Sequence, residues 1–167
     1  MGRLSDLSAM IRERRVGFLG DEVMTGWHRF EPGFGPPGRH FFEFRVTWGT
    51  KHLGRWLDPT GDEFMINDMH GTFTATGLCE DAPCEGILEL KYFDEHLLRY
   101  VLDFEADGRP HRFVGEKVNI RPWNLPVSHT TCFGRITESD GNRLVSTAEC
   151  YFRFRTAPRF AASFRLA

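Results

Sequence analysis

Hydrophobic and polar residues alternate with a period of two along most of this chain, and this alternation constrains its fold more than any other feature. The pattern begins near Arg39 and is clearest in residues 88–92 and 98–104, where leucine and aromatic residues alternate with charged ones. Such alternation is typical of strands with one buried and one solvated face. The chain contains 16 Phe, and aromatic residues are enriched in strands. The chain is therefore predicted to be mainly β.

The order of these segments predicts an antiparallel up-and-down barrel. About seven or eight strands are expected, joined mostly by short turns, and they occupy residues 38–155. A meander with this many strands removes its exposed edges by closing into a barrel. A β-sandwich is the alternative.

Helices are predicted only at the margins of the barrel. An N-terminal helix is expected in residues 1–20, a short helix in residues 51–57 after the first strand, and another in the C-terminal segment 156–167. A length of 167 residues favours a single domain over the whole chain.

Composition excludes several classes of partner. The chain has 21 basic and 23 acidic residues, so no nucleic-acid partner is expected. No segment has about 18 uninterrupted apolar residues, and no signal-peptide pattern is present, so we expect no membrane span and a cytoplasmic location. The spacing of Cys79 and Cys84 is neither a zinc knuckle nor a redox motif. Reduced cysteines are expected, and a disulfide between these two is the alternative for an exported protein.

The segment from Gly115 to Cys132 contains more chemically capable side chains than any other part of the chain, and its two prolines stiffen it. Glu116 and His129 are the candidate catalytic residues. If the aliphatic face of this strand points inward, Glu116 lies in an apolar cavity, which would raise its pKa and suit it to proton transfer. A structural ion pair or exposure to solvent is the alternative. His129 is a candidate general base, with a hydrogen-bonded structural histidine as the alternative.

Seven further residues are candidate ligand contacts. They are Lys117, Asn119, Arg121, Trp123, Thr131, Trp48 and Tyr100. Trp48 and Tyr100 lie on apolar strand faces, where a place in the core is the alternative. No cofactor or metal is predicted, because Asp68 and His70 share a strand face without an evident third ligand.

Five segments of the chain follow one another in the same order, and with the same kinds of turn residues, as segments of known proteins. They are residues 51–59, 74–77, 99–104, 107–110 and 113–117. Together they resemble the β-rich accessory region of sterol-oxidase-like flavoproteins of the GMC group, which implies an apolar ligand or a partnership with a separate oxidoreductase. The sequence has no flavin-binding βαβ unit, so oxidase activity is not expected. The general shape is also similar to lipocalin-like (calycin) barrels, which implies a pocket for an apolar small molecule.

Three functions follow as expectations. The leading one is a lipocalin-like binding protein for a hydrophobic small molecule, such as a lipid, a sterol or a polyketide-like metabolite. The first alternative is a cofactor-free isomerase or cyclase that acts on an apolar substrate in the barrel cavity. The second is an accessory interaction module of a flavin oxidoreductase.

Overall fold

The computed structural model describes residues 16–93, 95–120, 130–152 and 162–166. Within these residues the chain forms nine strands and a short helix, α1 (Leu53–Trp56). The strands are β1 (Phe18–Phe30), β2 (His40–Thr50), β3 (Ile66–Ala75), β4 (Cys79–Lys91), β5 (Leu97–Ala106), β6 (Arg109–Lys117), β7 (Thr131–Glu138), β8 (Leu144–Phe152) and β9 (Arg165–Leu166).

Strands β1 to β8 form a closed antiparallel barrel. Each strand pairs with its neighbour in the chain, and β1 pairs with both β2 and β8, so the sheet has no free edge among these eight strands. The two-residue strand β9 adds to the beginning of β1. The predicted up-and-down barrel is confirmed, as is the short helix after the strand that begins at His40.

The first strand differs from the prediction. The sequence indicated a helix up to residue 20 and strands only from residue 38, whereas β1 begins at Phe18 and closes the barrel. Alternation is hard to recognise in β1 because the buried positions among its residues include Glu22 and His28. The helix predicted for residues 1–15 lies outside the described residues. In the C-terminal segment, where a helix was predicted, residues 162 and 163 are helical and Arg165 and Leu166 form a strand. Residues 156–161 lie outside the described residues.

The two ends of the barrel have different contents. We call the end where β1 begins and β6 finishes the upper end, and the opposite end the lower end. Five phenylalanines, which we call the aromatic layer, fill the middle and lower parts of the interior, and all are at most 5% exposed. They are Phe42, Phe44, Phe73, Phe104 and Phe113. Their neighbouring ring centroids lie between 4.2 and 6.2 Å apart, so this part of the barrel is packed.

Two glycines make room for the ring of Phe113. A Cβ atom at Gly134 would lie 2.1 Å from this ring, and one at Gly115 would lie 2.6 Å from it. Real Cβ atoms do not approach other atoms this closely, so the ring occupies the space that a side chain would need on β6 and β7. The absence of two side chains is therefore part of the packing of the aromatic layer.

We expect Gly134→Ala to destabilise the barrel by about 1–3 kcal/mol, because the added methyl group overpacks the core against Phe113. The change in free energy of unfolding is measured by denaturation in guanidinium chloride. Phe113→Leu should cost less in the Gly134→Ala background than in the wild type, since the two sites are coupled. Gly61→Ala is the control, because a Cβ atom there has no neighbour nearer than 3.6 Å. Strictly additive effects of the two core changes would contradict this account.

Candidate functional site

Three polar side chains meet inside the upper half of the barrel. Glu22 comes from β1, Tyr100 from β5 and Lys117 from the last position of β6, and all three occupy inward positions of their strands. Glu22 is 5% exposed, Tyr100 is 1% exposed and Lys117 is 3% exposed. We call them the Glu22–Tyr100–Lys117 cluster.

The carboxylate of Glu22 accepts hydrogen bonds from both partners. Lys117 Nζ donates to Glu22 Oε1 at 3.0 Å. The hydroxyl of Tyr100 donates to the same carboxylate, 3.0 Å from Oε1 and 3.2 Å from Oε2. Nζ also lies 5.1 Å from the ring centroid of Tyr100 and 5.9 Å from that of Phe152. The ammonium is therefore placed between one carboxylate and two aromatic rings.

The environment keeps the phenols near Glu22 in their protonated form. Burial raises the pKa of Tyr100 well above its usual value, and the negative charge of Glu22 raises it further. Burial, followed by the charge of Glu22, raises the pKa of Tyr92 to about 12. At neutral pH Tyr100 is therefore a hydrogen-bond donor to the carboxylate.

Polar atoms at this end of the barrel have unused hydrogen-bonding capacity. An ammonium has three N–H donors, and among the described residues Glu22 is the one hydrogen-bond acceptor for Lys117. Asn67 on β3 is fully buried, and its Nδ2 donates to the carbonyl of Leu88 at 3.2 Å. Its Oδ1 has no partner in the described part of the chain. Leu88 is the register partner of both Asn67 and Tyr100, so these two residues flank the same strand.

Two thiols lie across one strand pair near the cluster. Cys132 on β7 and Cys150 on β8 are direct register partners, and both are fully buried. Burial and the hydrogen bond with Cys132 raise the pKa of the Cys150 thiol well above its usual value. Cys79 and Cys84 are also free thiols. The buried pair contributes small, uncharged side chains to the interior.

The structure brings together two of the sequence-predicted ligand contacts, Lys117 and Tyr100, around a residue that the sequence analysis missed, Glu22. Trp48 lies at the same end of the barrel and makes edge contacts with Phe18 and Phe164, at centroid distances of 5.9 and 5.7 Å. The signal for Glu22 is a charged residue at an inward position of a strand. It is visible only when residues 18–30 are recognised as a strand.

Glu116 points away from the interior. The inward positions of β6 include Phe113 and Lys117, and Glu116 lies on the outer face with a side chain 36% exposed. There it accepts a hydrogen bond from Arg99 Nε at 2.8 Å. The expectation of an inward carboxylate at Glu116 is therefore wrong in orientation. The aliphatic residues that share a face with Glu116 suggested that this face points inward. The opposite face points inward instead, and its lysine, Lys117, tolerates burial because Glu22 neutralises its charge.

Two other predicted site residues, Asn119 and Thr131, are not part of the cluster. Asn119 is exposed after the end of β6, with a φ angle of 58°. Thr131 shares the outer face of β7 with the exposed Phe133. Arg121, Trp123 and His129 lie outside the described residues, so their roles stay predictions.

A second buried polar group lies at the lower end. Nδ1 of His28 is 2.7 Å from Ser146 Oγ, and Nε2 is 3.1 Å from the carbonyl oxygen of Thr76. Because a carbonyl only accepts, Nε2 carries a proton. The Ser146 hydroxyl beside Nδ1 also lies 2.8 Å from the carbonyl oxygen of Arg29. Burial lowers the pKa of His28. Both ring nitrogens are satisfied, which indicates a structural role.

The lower end also carries an open cleft of about 590 Å³, lined in part by Phe34 and Leu78. Its charged groups neutralise one another, because Arg109 and Arg143 both form ion pairs with Glu138. The cleft therefore offers fewer unused polar groups than the upper end.

Comparison of the chain with protein-family models, curated proteins and solved structures gives no significant match. The resemblance to accessory regions of GMC flavoproteins stays a prediction. None of the helices in the described ranges has the length and apolar character needed to cross a membrane. The described residues also contain no group of three or more His, Cys, Asp or Glu side chains placed to hold a metal ion.

We expect Lys117→Met to destabilise the protein by about 3–5 kcal/mol, because it leaves the Glu22 carboxylate buried without its cation. The double variant Glu22→Leu with Lys117→Met removes both charges. Its free energy of unfolding should be no more than about 1 kcal/mol below that of the wild type, and it can exceed the wild-type value. Urea denaturation at neutral pH measures both. Asp103→Asn, which breaks the exposed pair with Arg112, is the control and should cost less than about 1 kcal/mol. A double variant as unstable as the single one would refute this reading.

We expect stability to fall as the pH drops below the ordinary pKa of histidine, 6.5. The unfolded chain then binds a proton at His28 that the folded protein excludes, because the folded pKa is lowered. The stabilisation that comes from keeping the imidazole neutral is fully present above the pKa of His28 in the unfolded chain. It is lost as the pH falls from that value towards the lowered pKa of the folded protein. His28→Gln should therefore show a shallower loss of stability between neutral and mildly acidic pH, measured as unfolding midpoints in urea. His70→Gln, at an exposed position, is the control. Equal pH profiles for wild type and His28→Gln would disprove the assignment.

Proposed function

We propose that this protein is a lipocalin-like binding protein whose small-molecule ligand is held in the upper half of the barrel by the Glu22–Tyr100–Lys117 cluster. The observation that carries the proposal is the buried ammonium of Lys117, which has one hydrogen-bond acceptor among the described residues and lies above a packed aromatic layer. The ligand has an apolar body and at least one oxygen atom that accepts a hydrogen bond.

Energetics support a role for the cluster beyond folding. Removing a lysine and a glutamate from water costs several kcal/mol per ion, and one good contact repays this only in part. Apolar residues of similar volume commonly stabilise such positions as well or better. The barrel is already closed by backbone pairing and filled by phenylalanines. A buried ion pair that faces the barrel interior favours a binding site, since ligand pockets combine apolar walls with a few placed polar groups.

The unused polar atoms define what the ligand offers. Lys117 presents N–H donors that a carbonyl or hydroxyl oxygen can accept. Asn67 Oδ1 is a buried acceptor without a partner in the described chain, and a ligand hydroxyl can donate to it. Buried polar groups are nearly always satisfied in folded proteins, so an orphaned amide oxygen indicates a missing partner such as a ligand or a water molecule.

The aromatic layer limits the depth of the ligand. Phe44 and Phe113 are both fully buried, and their ring centroids lie 5.8 Å apart. A long lipid lying along the barrel axis would have to displace these rings. The proposed ligand is therefore compact, and its apolar part contacts the side chains above the layer. These include Met69, Leu88 and Leu90, which belong to the core or pack against it.

A cofactor-free isomerase is the second candidate function. The observation that favours it is the pair of proton donors on one carboxylate, since Tyr100 and Lys117 both donate to Glu22. A carboxylate so placed can exchange protons with a bound substrate. An isomerase would convert a bound compound into a product of equal mass, detected by chromatography, and Glu22→Gln would abolish the conversion.

The binding function is tested by native mass spectrometry of freshly purified protein and by thermal shifts with a panel of compact apolar alcohols, ketones and aldehydes. Ligand at 100 times its dissociation constant should stabilise the wild type by about 2.7 kcal/mol. The double variant Glu22→Leu with Lys117→Met should fold and bind at least about tenfold more weakly, since charged hydrogen bonds are lost.

Glu116→Gln is the matched control, because this carboxylate lies on the outer face and pairs with Arg99. It should bind as the wild type does. Two results would count against the proposal. One is equal affinity in the double variant, and the other is a wild type that carries no bound compound and shows no thermal shift across the whole panel.

A further inference from the structure

We infer that the ligand of the upper site is an aldehyde or ketone that Lys117 binds covalently as a protonated imine. The inference rests on the proposed function and adds the chemical class of the ligand and the bond that holds it. It depends on the environment of Lys117, on the acceptor beside it and on the product that the site can stabilise.

The amine of Lys117 is placed as imine-forming lysines require. Its side chain is 4% exposed, and its immediate neighbours include the rings of Tyr100 and Phe152. Such a surrounding excludes water, which protects an imine from hydrolysis once it has formed. The position of Lys117 as the last residue of β6 sets the amine near the end of the barrel.

Glu22 supplies the proton acceptor that the reaction needs. Only the neutral amine attacks a carbonyl carbon, so the ammonium must first lose a proton. Glu22 Oε1 lies 3.0 Å from Lys117 Nζ, within direct reach for that transfer. The Tyr100 hydroxyl, 3.0 Å from the same oxygen, has a single proton to donate. Once Glu22 has accepted a proton from Lys117, this hydroxyl can turn its donor to the carbonyl oxygen, on which negative charge develops.

The reaction balances with groups present in the cluster. The Lys117 ammonium gives one proton to Glu22, and the neutral amine forms a bond to the carbonyl carbon while the C–O π bond breaks. A second proton moves from nitrogen to oxygen, which gives a carbinolamine. Glu22 then returns its proton to the hydroxyl, the C–O bond breaks, and water leaves. Two of the three ammonium protons leave in the water and one stays on the imine nitrogen. No oxidant or reductant is needed.

The product preserves the electrostatics of the cluster. A protonated imine carries the same single positive charge as the ammonium, and its one N–H can donate to Glu22. The buried carboxylate therefore has a cation beside it before and after the reaction. The N–H that donates to Glu22 supplies the first proton lost, and the one N–H that stays on the imine nitrogen takes its place as donor to this carboxylate.

The lysine content of the chain makes the test direct. The chain has three lysines, Lys51, Lys91 and Lys117. Lys51 is exposed, and the side chain of Lys91 is 30% exposed. Full-length protein is treated with benzaldehyde and sodium cyanoborohydride, which reduces an imine to a stable benzylamine. Peptide mapping by mass spectrometry then gives the labelling rate of each lysine.

We expect Lys117 to be labelled faster than Lys51 and Lys91 despite its burial. Glu22→Gln should slow labelling at Lys117 by about 10²-fold, the contribution of a positioned proton-transfer group, and leave the other two lysines unchanged. Lys117→Arg, which keeps the positive charge, should lose the fast label. The variant with Lys51→Arg and Lys91→Arg should keep it. Labelling of Lys51 and Lys91 with none at Lys117 would overturn the inference, as would fast labelling of Lys117 that is unaffected by Glu22→Gln.

The labelling experiment distinguishes failure of the covalent inference from failure of the proposed binding function. If Lys117 stays unlabelled while alcohols and ketones still bind the wild type and not the double variant Glu22→Leu with Lys117→Met, the covalent inference fails and noncovalent binding at the cluster stands. If Lys117 is labelled with the expected dependence on Glu22, the imine is supported even when no alcohol binds. Folding of each variant is checked by circular dichroism before labelling.

Discussion

The double pairing of β1 is the constraint on which the rest of this structure depends. By pairing with β2 on one side and β8 on the other, β1 converts a meander into a closed barrel. Closure removes the two exposed edges that the other strands would leave. It also carries Glu22 into the interior, where the carboxylate meets Lys117 from β6 across the barrel. The fold and the candidate site therefore share one strand.

Closure also explains how the interior is divided. Inward positions in the middle and lower parts hold phenylalanines, and glycines on β6 and β7 leave space for the Phe113 ring. Near the upper end the inward positions hold Glu22, Asn67 and Lys117. The interior is therefore filled by aromatic rings in its middle and lower parts and is polar in its upper part. The ligand that we propose contacts the polar side chains of the upper part, since the aromatic layer occupies the interior below them.

Comparison of individual residues shows where sequence reasoning succeeds and where it fails. Alternation correctly placed Tyr100 on a buried strand face. Lys117 was predicted to be a ligand contact, and the structure shows that its side chain is buried. The same alternation gave Glu116 the wrong face, because aliphatic neighbours were taken as the inward set and a buried lysine was not expected. Glu22 was missed because polar residues and glycines interrupt the pattern of β1. Both errors have one cause, a charge pair whose members are buried together.

The sequence by itself determined strands β2 to β8 and their antiparallel order, because alternation and turn chemistry are local properties of the chain. It predicted a closed barrel, but the strand that closes it, β1, was recognised only in the structure. Tertiary structure alone decided which charged side chain faces inward. Glu22 and Lys117 lie 95 residues apart, and each is tolerable inside only because the other is there. A shift of one residue in strand register would move either side chain to solvent. Burial of a charge is thus a property of the pair and of the closure that joins them, and neither strand shows it alone.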